Sequence, residues 1–170
     1  MHTKKYPFKR IAEEFEKLEM EPEEQYGFVE NSVWYPNERL VEETHEMVLK
    51  EYGGYTGYET GIGLFKVILK KVKEIEGIYK KAAVLLREMV TSPRIYADGN
   101  HRTAILIVET FLNKNENKIW TDDSQKKYRF IKHLLLYSSD EIAEWLENGP
   151  KRTSDQDSEV GNGEKPRAYM

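Results

Sequence analysis

The run Thr103-Ala-Ile-Leu-Ile-Val-Glu-Thr-Phe-Leu112 constrains the fold of this chain more than any other stretch. Ala104, Ile105, Leu106, Ile107, Val108, Phe111 and Leu112 cover nearly the whole circumference of a helix, so almost no face of it suits water. A helix of that kind must lie in the middle of something, and the rest of the chain supplies mostly further helices. Phe8, Ile11, Phe15 and Leu18 share one face of a short amphipathic helix that Pro22 ends. From Glu23 to Pro36 no period is sustained, and Tyr26, Phe28, Val33, Trp34 and Tyr35 suggest an irregular connection pinned by aromatics. Asn37 is a good N-cap for a second helix, with Leu40, Val41, Met47 and Val48 as its apolar stripe and Gly53-Gly54 as its stop. Further helices are expected over Leu64–Ile75, Tyr79–Thr91 and Ser124–Tyr137, with a last one capped by Ser139. The expected architecture is an all-α bundle.

Between the second and third helices lies the most glycine-dense stretch, Gly53 to Gly63, with tyrosines interleaved. It reads as a loop with room for a short β-hairpin. After Asn148-Gly149-Pro150 the composition turns to Ser, Asp, Glu, Lys, Arg, Gly and Pro, with almost nothing to bury. Three parts are therefore expected: residues 1–35 as an N-terminal helix and connection, 36–148 as the helical domain, and 149–170 as a polar, disordered tail.

Charge and composition exclude several classes of function. The 26 basic and 30 acidic residues leave a net charge of -4, which gives no general attraction for nucleic acid or an anionic membrane. Cysteine is absent, and no two of His2, His45, His101 and His133 stand at a metal-ligand spacing. A thiolate zinc site and a cysteine nucleophile are thereby excluded, and a zinc enzyme is not expected. No apolar segment resembles a secretory signal or a membrane span, so the expected compartment is the cytoplasm.

The chemistry concentrates in Asp98-Gly99-Asn100-His101-Arg102, just before the central helix. Gly99 opens backbone angles closed to other residues, and successive N–H groups in such a turn can face one concavity. The helix that follows adds unpaired amides and a positive dipole end. Arg102 can grip two phosphate oxygens with its planar fork, and Asp98 could hold the Mg²⁺ that accompanies a nucleotide. The same pentapeptide is also a plain turn sequence, with Thr103 as a simple helix cap.

The stretch Arg94-Ile-Tyr-Ala-Asp-Gly-Asn-His-Arg-Thr-Ala104 resembles the signature of the Fic/Doc (Fido) family, His-Pro-Phe-x-Asp-Gly-Asn-(Gly/Lys/His)-Arg-Thr-Ala. The similarity covers approximately Pro36 to Asn148. It implies a helical bundle in which the motif loop binds the phosphates of ATP or another nucleotide. Asp98 would then bind Mg²⁺, Gly99, Asn100 and His101 would form a backbone anion hole, and Arg102 would contact the phosphates. The glycine-rich region from Gly54 to Gly63 would be the hairpin flap that positions a target protein's segment. The lack of a second motif arginine, Ile105 standing in its place, points to the Doc-like branch.

One departure is chemically decisive. The family's general base is a histidine, and here Arg94 occupies its position. A guanidinium keeps its protons and has no lone pair with which to deprotonate a hydroxyl. Three readings follow. The first is a degenerate Fic/Doc-like protein that binds a nucleotide or phosphate group without ordinary transfer of AMP or phosphate to a protein hydroxyl. The second is an active nucleotidyl- or phosphotransferase with a non-standard base. The third is a toxin–antitoxin-type module whose fold serves contact with a partner protein.

Overall fold

The computed structural model describes residues 25–151, so the helix expected around Phe8 to Leu18 and the polar tail after Lys151 lie outside the described residues. The described residues form one antiparallel hairpin followed by six α-helices. Strands β1 (Gly27–Glu30) and β2 (Val33–Pro36) pair Phe28 with Tyr35 and Val29 with Trp34. Asn31 and Ser32 join them with φ of 52° and 67°. Two left-handed residues in a two-residue loop match the right-handed twist of the strands. This corrects the irregular connection expected between Glu23 and Pro36. A side chain at Gly27 would place its Cβ 2.2 Å from the Trp34 indole, so the hairpin needs glycine there.

Helix α1 (Glu38–Tyr52) starts as the sequence suggests. The Asn37 side chain accepts the Leu40 amide at 3.0 Å, a cap worth about 1 kcal/mol, and Gly53 closes the other end with φ of 82°. Helices α2 (Leu64–Lys73) and α3 (Ile78–Val90) lie within about two residues of their expected bounds. Helix α4 (Asn100–Lys114) is the central one: Ala104, Ile107, Val108, Phe111 and Leu112 are wholly buried.

Helix α5 (Ser124–Lys132) stops five residues short of the expected Tyr137. The chain there tightens into a 3₁₀ turn over Leu134–Leu136, which buries Leu134 and leaves Leu135 and Leu136 exposed. Ser138, not Ser139, caps α6 (Ser139–Asn148), in a reciprocal box with Glu141. Helix α4 packs against α1, α3, α5 and β2, while α3 bridges to α2 and α6. Asn115, just past α4, accepts the Trp34 amide and donates to the Trp34 carbonyl, both at 2.9 Å, which pins the hairpin to the end of the central helix. Among the described residues no helix is long and apolar enough to cross a membrane.

Candidate functional site

The chain reaches α4 through Gly99, whose φ of 80° and ψ of 12° make it a left-handed N-cap. The helix therefore begins at Asn100, three residues earlier than expected, and Thr103 lies inside its first turn. The Thr103 amide bonds to the Gly99 carbonyl at 3.1 Å, and its buried hydroxyl has no partner among the described residues, so Thr103 does not cap the helix. No side chain among the described residues caps the helix in its stead. The Gly99 amide, expected in an anion hole, instead donates to Asp98 Oδ1 at 2.9 Å. The amides of Asn100, His101 and Arg102 have no hydrogen-bond partner among the described residues. They form a short array of donors at the positive end of a fifteen-residue helix.

Asn100 contributes to that array through its amide alone. Its buried side chain accepts the Tyr96 amide at 3.2 Å and donates to the Tyr96 carbonyl at 2.8 Å. Helix α1 supports the same loop. The His45 ring, 6% exposed, stacks on Tyr96 at 3.5 Å, and its Nε2 lies 2.9 Å from the Asp98 carbonyl oxygen. A carbonyl only accepts, so Nε2 carries the proton. Glu42, one turn before His45, accepts the Tyr96 hydroxyl at 2.6 Å and the Tyr58 hydroxyl at 2.7 Å. Burial, and then the bond to Glu42, push the Tyr96 phenol well above its ordinary value.

The glycine-rich segment is not a hairpin, which corrects that expectation; the two-stranded hairpin is β1–β2. Instead the segment pairs with the motif itself, with Tyr58 opposite Tyr96 in an isolated antiparallel bridge. The Ile95 carbonyl accepts the amides of Glu59, Thr60 and Gly61, and the Ala97 amide donates to Gly57 O at 3.1 Å. Close approach at Gly54 brings the Tyr55 amide within 3.1 Å of Asp98 Oδ2; a Cβ on Gly54 would stand 2.8 Å from that oxygen. Both Asp98 carboxylate oxygens thus accept one main-chain amide each.

Arg94 is held by Glu59 of the same segment. Its Nε and Nη2 donate to Glu59 Oε1 at 3.2 and 3.0 Å, and its amide donates to Oε2 at 3.0 Å. The Arg94 amide first, and then the guanidinium, hold the Glu59 carboxyl below its ordinary range. His101 is half-buried, and burial together with the charge of Arg94 lowers its pKa. The Arg102 guanidinium lies 3.9 Å from the centre of the Tyr52 ring and 4.1 Å from that of Tyr128. Its faces are taken, but none of its N–H groups reaches an acceptor among the described residues.

His45 and His101 imply a pH dependence. Burial is the first cause of the lowered pKa in both, relative to an ordinary value of 6.5. The unfolded chain therefore binds protons at a pH where the folded chain does not. Stability is full above about 6.5 and declines as pH falls through the depressed values. Urea midpoints followed by circular dichroism should drop steadily between about pH 7 and pH 5. The double variant His45→Gln/His101→Gln should flatten that slope, and an unchanged slope would refute the assignment.

The structure leaves Asp98 and Gly99 in the loop, puts Asn100, His101 and Arg102 in the first turn of α4 with the Arg102 guanidinium against Tyr52 and Tyr128, and ties Arg94 to Glu59. Sequence reasoning singled out the tyrosine- and glycine-rich segment that holds Tyr52, Tyr58 and Glu59 without giving these residues their roles, and missed Glu42 and Tyr128. Glu42 and His45 stand three apart on one helix face, a readable signal, whereas Glu59 carried none. No metal-binding group of three or more His, Asp or Glu side chains occurs among the described residues. Comparison with known protein families, curated proteins and solved structures gives no significant match.

Proposed function

We propose that this chain is a degenerate Fic/Doc-like protein that binds a nucleotide or phosphate group at the Asp98–Arg102 loop and lacks the usual base for group transfer. The observation that carries this reading is the uncapped start of α4, where the amides of Asn100, His101 and Arg102 stand without partners. Helix starts of this kind favour phosphate through both hydrogen bonding and the helix dipole. Asp98 suits Mg²⁺, because a carboxylate that accepts two amides still has free lone pairs and Mg²⁺ takes one or two carboxylates plus phosphate oxygens. The ion would neutralise phosphate charge there. The base position argues against transfer: Arg94 has no lone pair to offer, and its amide, Nε and Nη2 are tied to Glu59.

Thermal unfolding with and without MgATP tests the reading. Ligand at a hundredfold excess over its Kd should stabilise the fold by about 2.7 kcal/mol, and radiolabelled ATP should leave no label on protein. Arg94→His restores an imidazole, and labelling that appears only in this variant supports a site complete but for its base. Robust labelling by the unaltered chain would overturn the proposal.

An active transferase with His101 as its base is the second reading, favoured by one observation. The His101 imidazole is half-buried, and burial, then the charge of Arg94, lower its pKa, which favours the neutral ring with its lone pair. Under this reading His101→Ala abolishes a labelling activity that Arg94→Ala leaves intact.

A further inference from the structure

Below Arg102 a half-open cavity of about 450 Å³ runs between α1, α4 and α5. Its floor includes Ile105 and Leu106, and the Arg102 guanidinium lies in its wall between Tyr52 and Tyr128. Glu109 and Lys127 also line it, but they form a buried ion pair with each other. Arg129 and Lys132 line it too, exposed and without an ion pair among the described residues, with Lys132 over the Tyr128 ring at 5.7 Å and Arg129 within the field of Asp123. Leaving the internal pair aside, the cavity presents three cations and no anion, in a chain whose net charge is -4. That contrast is local and directed.

Arg102 sets the geometry of what fits. Two rings hold the faces of the guanidinium, so only its edge is open, and a planar fork of donors matches two oxygens of one oxyanion. Cation–π contact fixes the position of the fork without using any of its hydrogen-bonding capacity. An apolar floor below it suits a hydrocarbon or aromatic body. We propose that this cavity is a binding site for a small organic acid: a carboxylate or phosphate head on the Arg102 edge, drawn in by Arg129 and Lys132, and an apolar ring over Ile105 and Leu106. This inference shares Arg102 with the reading of the Asp98–Arg102 loop but uses its side chain where that reading uses its amide, and the apolar lining and the other two cations belong to the cavity alone.

Naphthoate, naphthyl phosphate and uncharged naphthol test it, titrated calorimetrically into the full chain at low salt. Both acids should bind at least tenfold more tightly than naphthol, and the tighter of the two identifies the head group. Arg102→Gln and the double variant Arg129→Gln/Lys132→Gln should each weaken the acids at least tenfold and leave naphthol unchanged. The double variant changes exposed side chains, so its effect is not a folding defect. Gly99→Ala, which disturbs the loop, should remove stabilisation by MgATP and leave naphthoate binding intact; the double variant should do the converse. Equal affinity for acid and naphthol, no heat with any probe up to millimolar concentration, or indifference to both sets of variants would overturn the assignment.

Discussion

Lys127→Met should cost about 3–5 kcal/mol of stability at neutral pH, because it strands a buried carboxylate. Glu109 on α4 and Lys127 on α5 are 7% and 4% exposed, and the Lys127 ammonium donates to Glu109 Oε2. Breaking one side of such a pair is far more damaging than replacing both. The double variant Lys127→Met/Glu109→Leu should therefore recover most of the loss, in urea denaturation followed by circular dichroism. Acid gives a second readout. Burial, opposed by Lys127, raises the Glu109 pKa, so between the unfolded and folded values the native state holds a proton that the unfolded state has lost. Stability from this group is full below the unfolded pKa and is lost as pH rises through the folded one. Removing Lys127 removes the opposing effect, so the single variant's deficit should shrink as the solution is acidified. A deficit below about 1 kcal/mol at neutral pH would refute the account.

Asn100→Ala should cost about 2–4 kcal/mol and abolish any stabilisation by MgATP. The Asn100 side chain is the partner of both main-chain polar groups of Tyr96, in a place that water does not reach. Alanine leaves a buried N–H and a buried C=O orphaned, at about 1–3 kcal/mol each, set against whatever the loop regains by relaxing. Asn100→Asp sets a buried carboxylate oxygen against the Tyr96 carbonyl in place of the amide donor, so it should not rescue the loss. If alanine shifts the urea midpoint no more than an exposed substitution does, the clamp has no energetic weight.

Where elements announce themselves in short-range signals, the sequence was legible. The N-cap Asn37, the stop at Gly53 and the apolar run of α4 each act within a turn or two, and the structure has them where the residues suggest. The β1–β2 hairpin was not legible because its strands are only four residues long and its turn is Asn31-Ser32, not the more telling Asn-Gly. Gly99 was correctly read as a position of unusual geometry, yet its left-handed cap started the helix before Thr103. The candidate site splits in the same way. Residues 98 to 102 could be singled out as a contiguous group. The supports of Asp98 come from 43 and 53 positions away, in Tyr55 and His45. A long-range partner of that kind leaves no periodic trace.

The seat of the glycine-rich segment has a consequence for how the protein can vary. The three amides of Glu59, Thr60 and Gly61 converge on one carbonyl, and Ala97 returns a bond to Gly57, so these links join main chain to main chain and read no side chain. Exchanging Tyr55, Thr56 or Thr60 would leave them standing. The loop beneath buries Ile95 and Tyr96 and leads into the first turn of a buried helix, so it cannot be altered without disturbing the core. Diversity in what this end of the molecule meets can thus be written on the strap, while the floor it crosses stays the same.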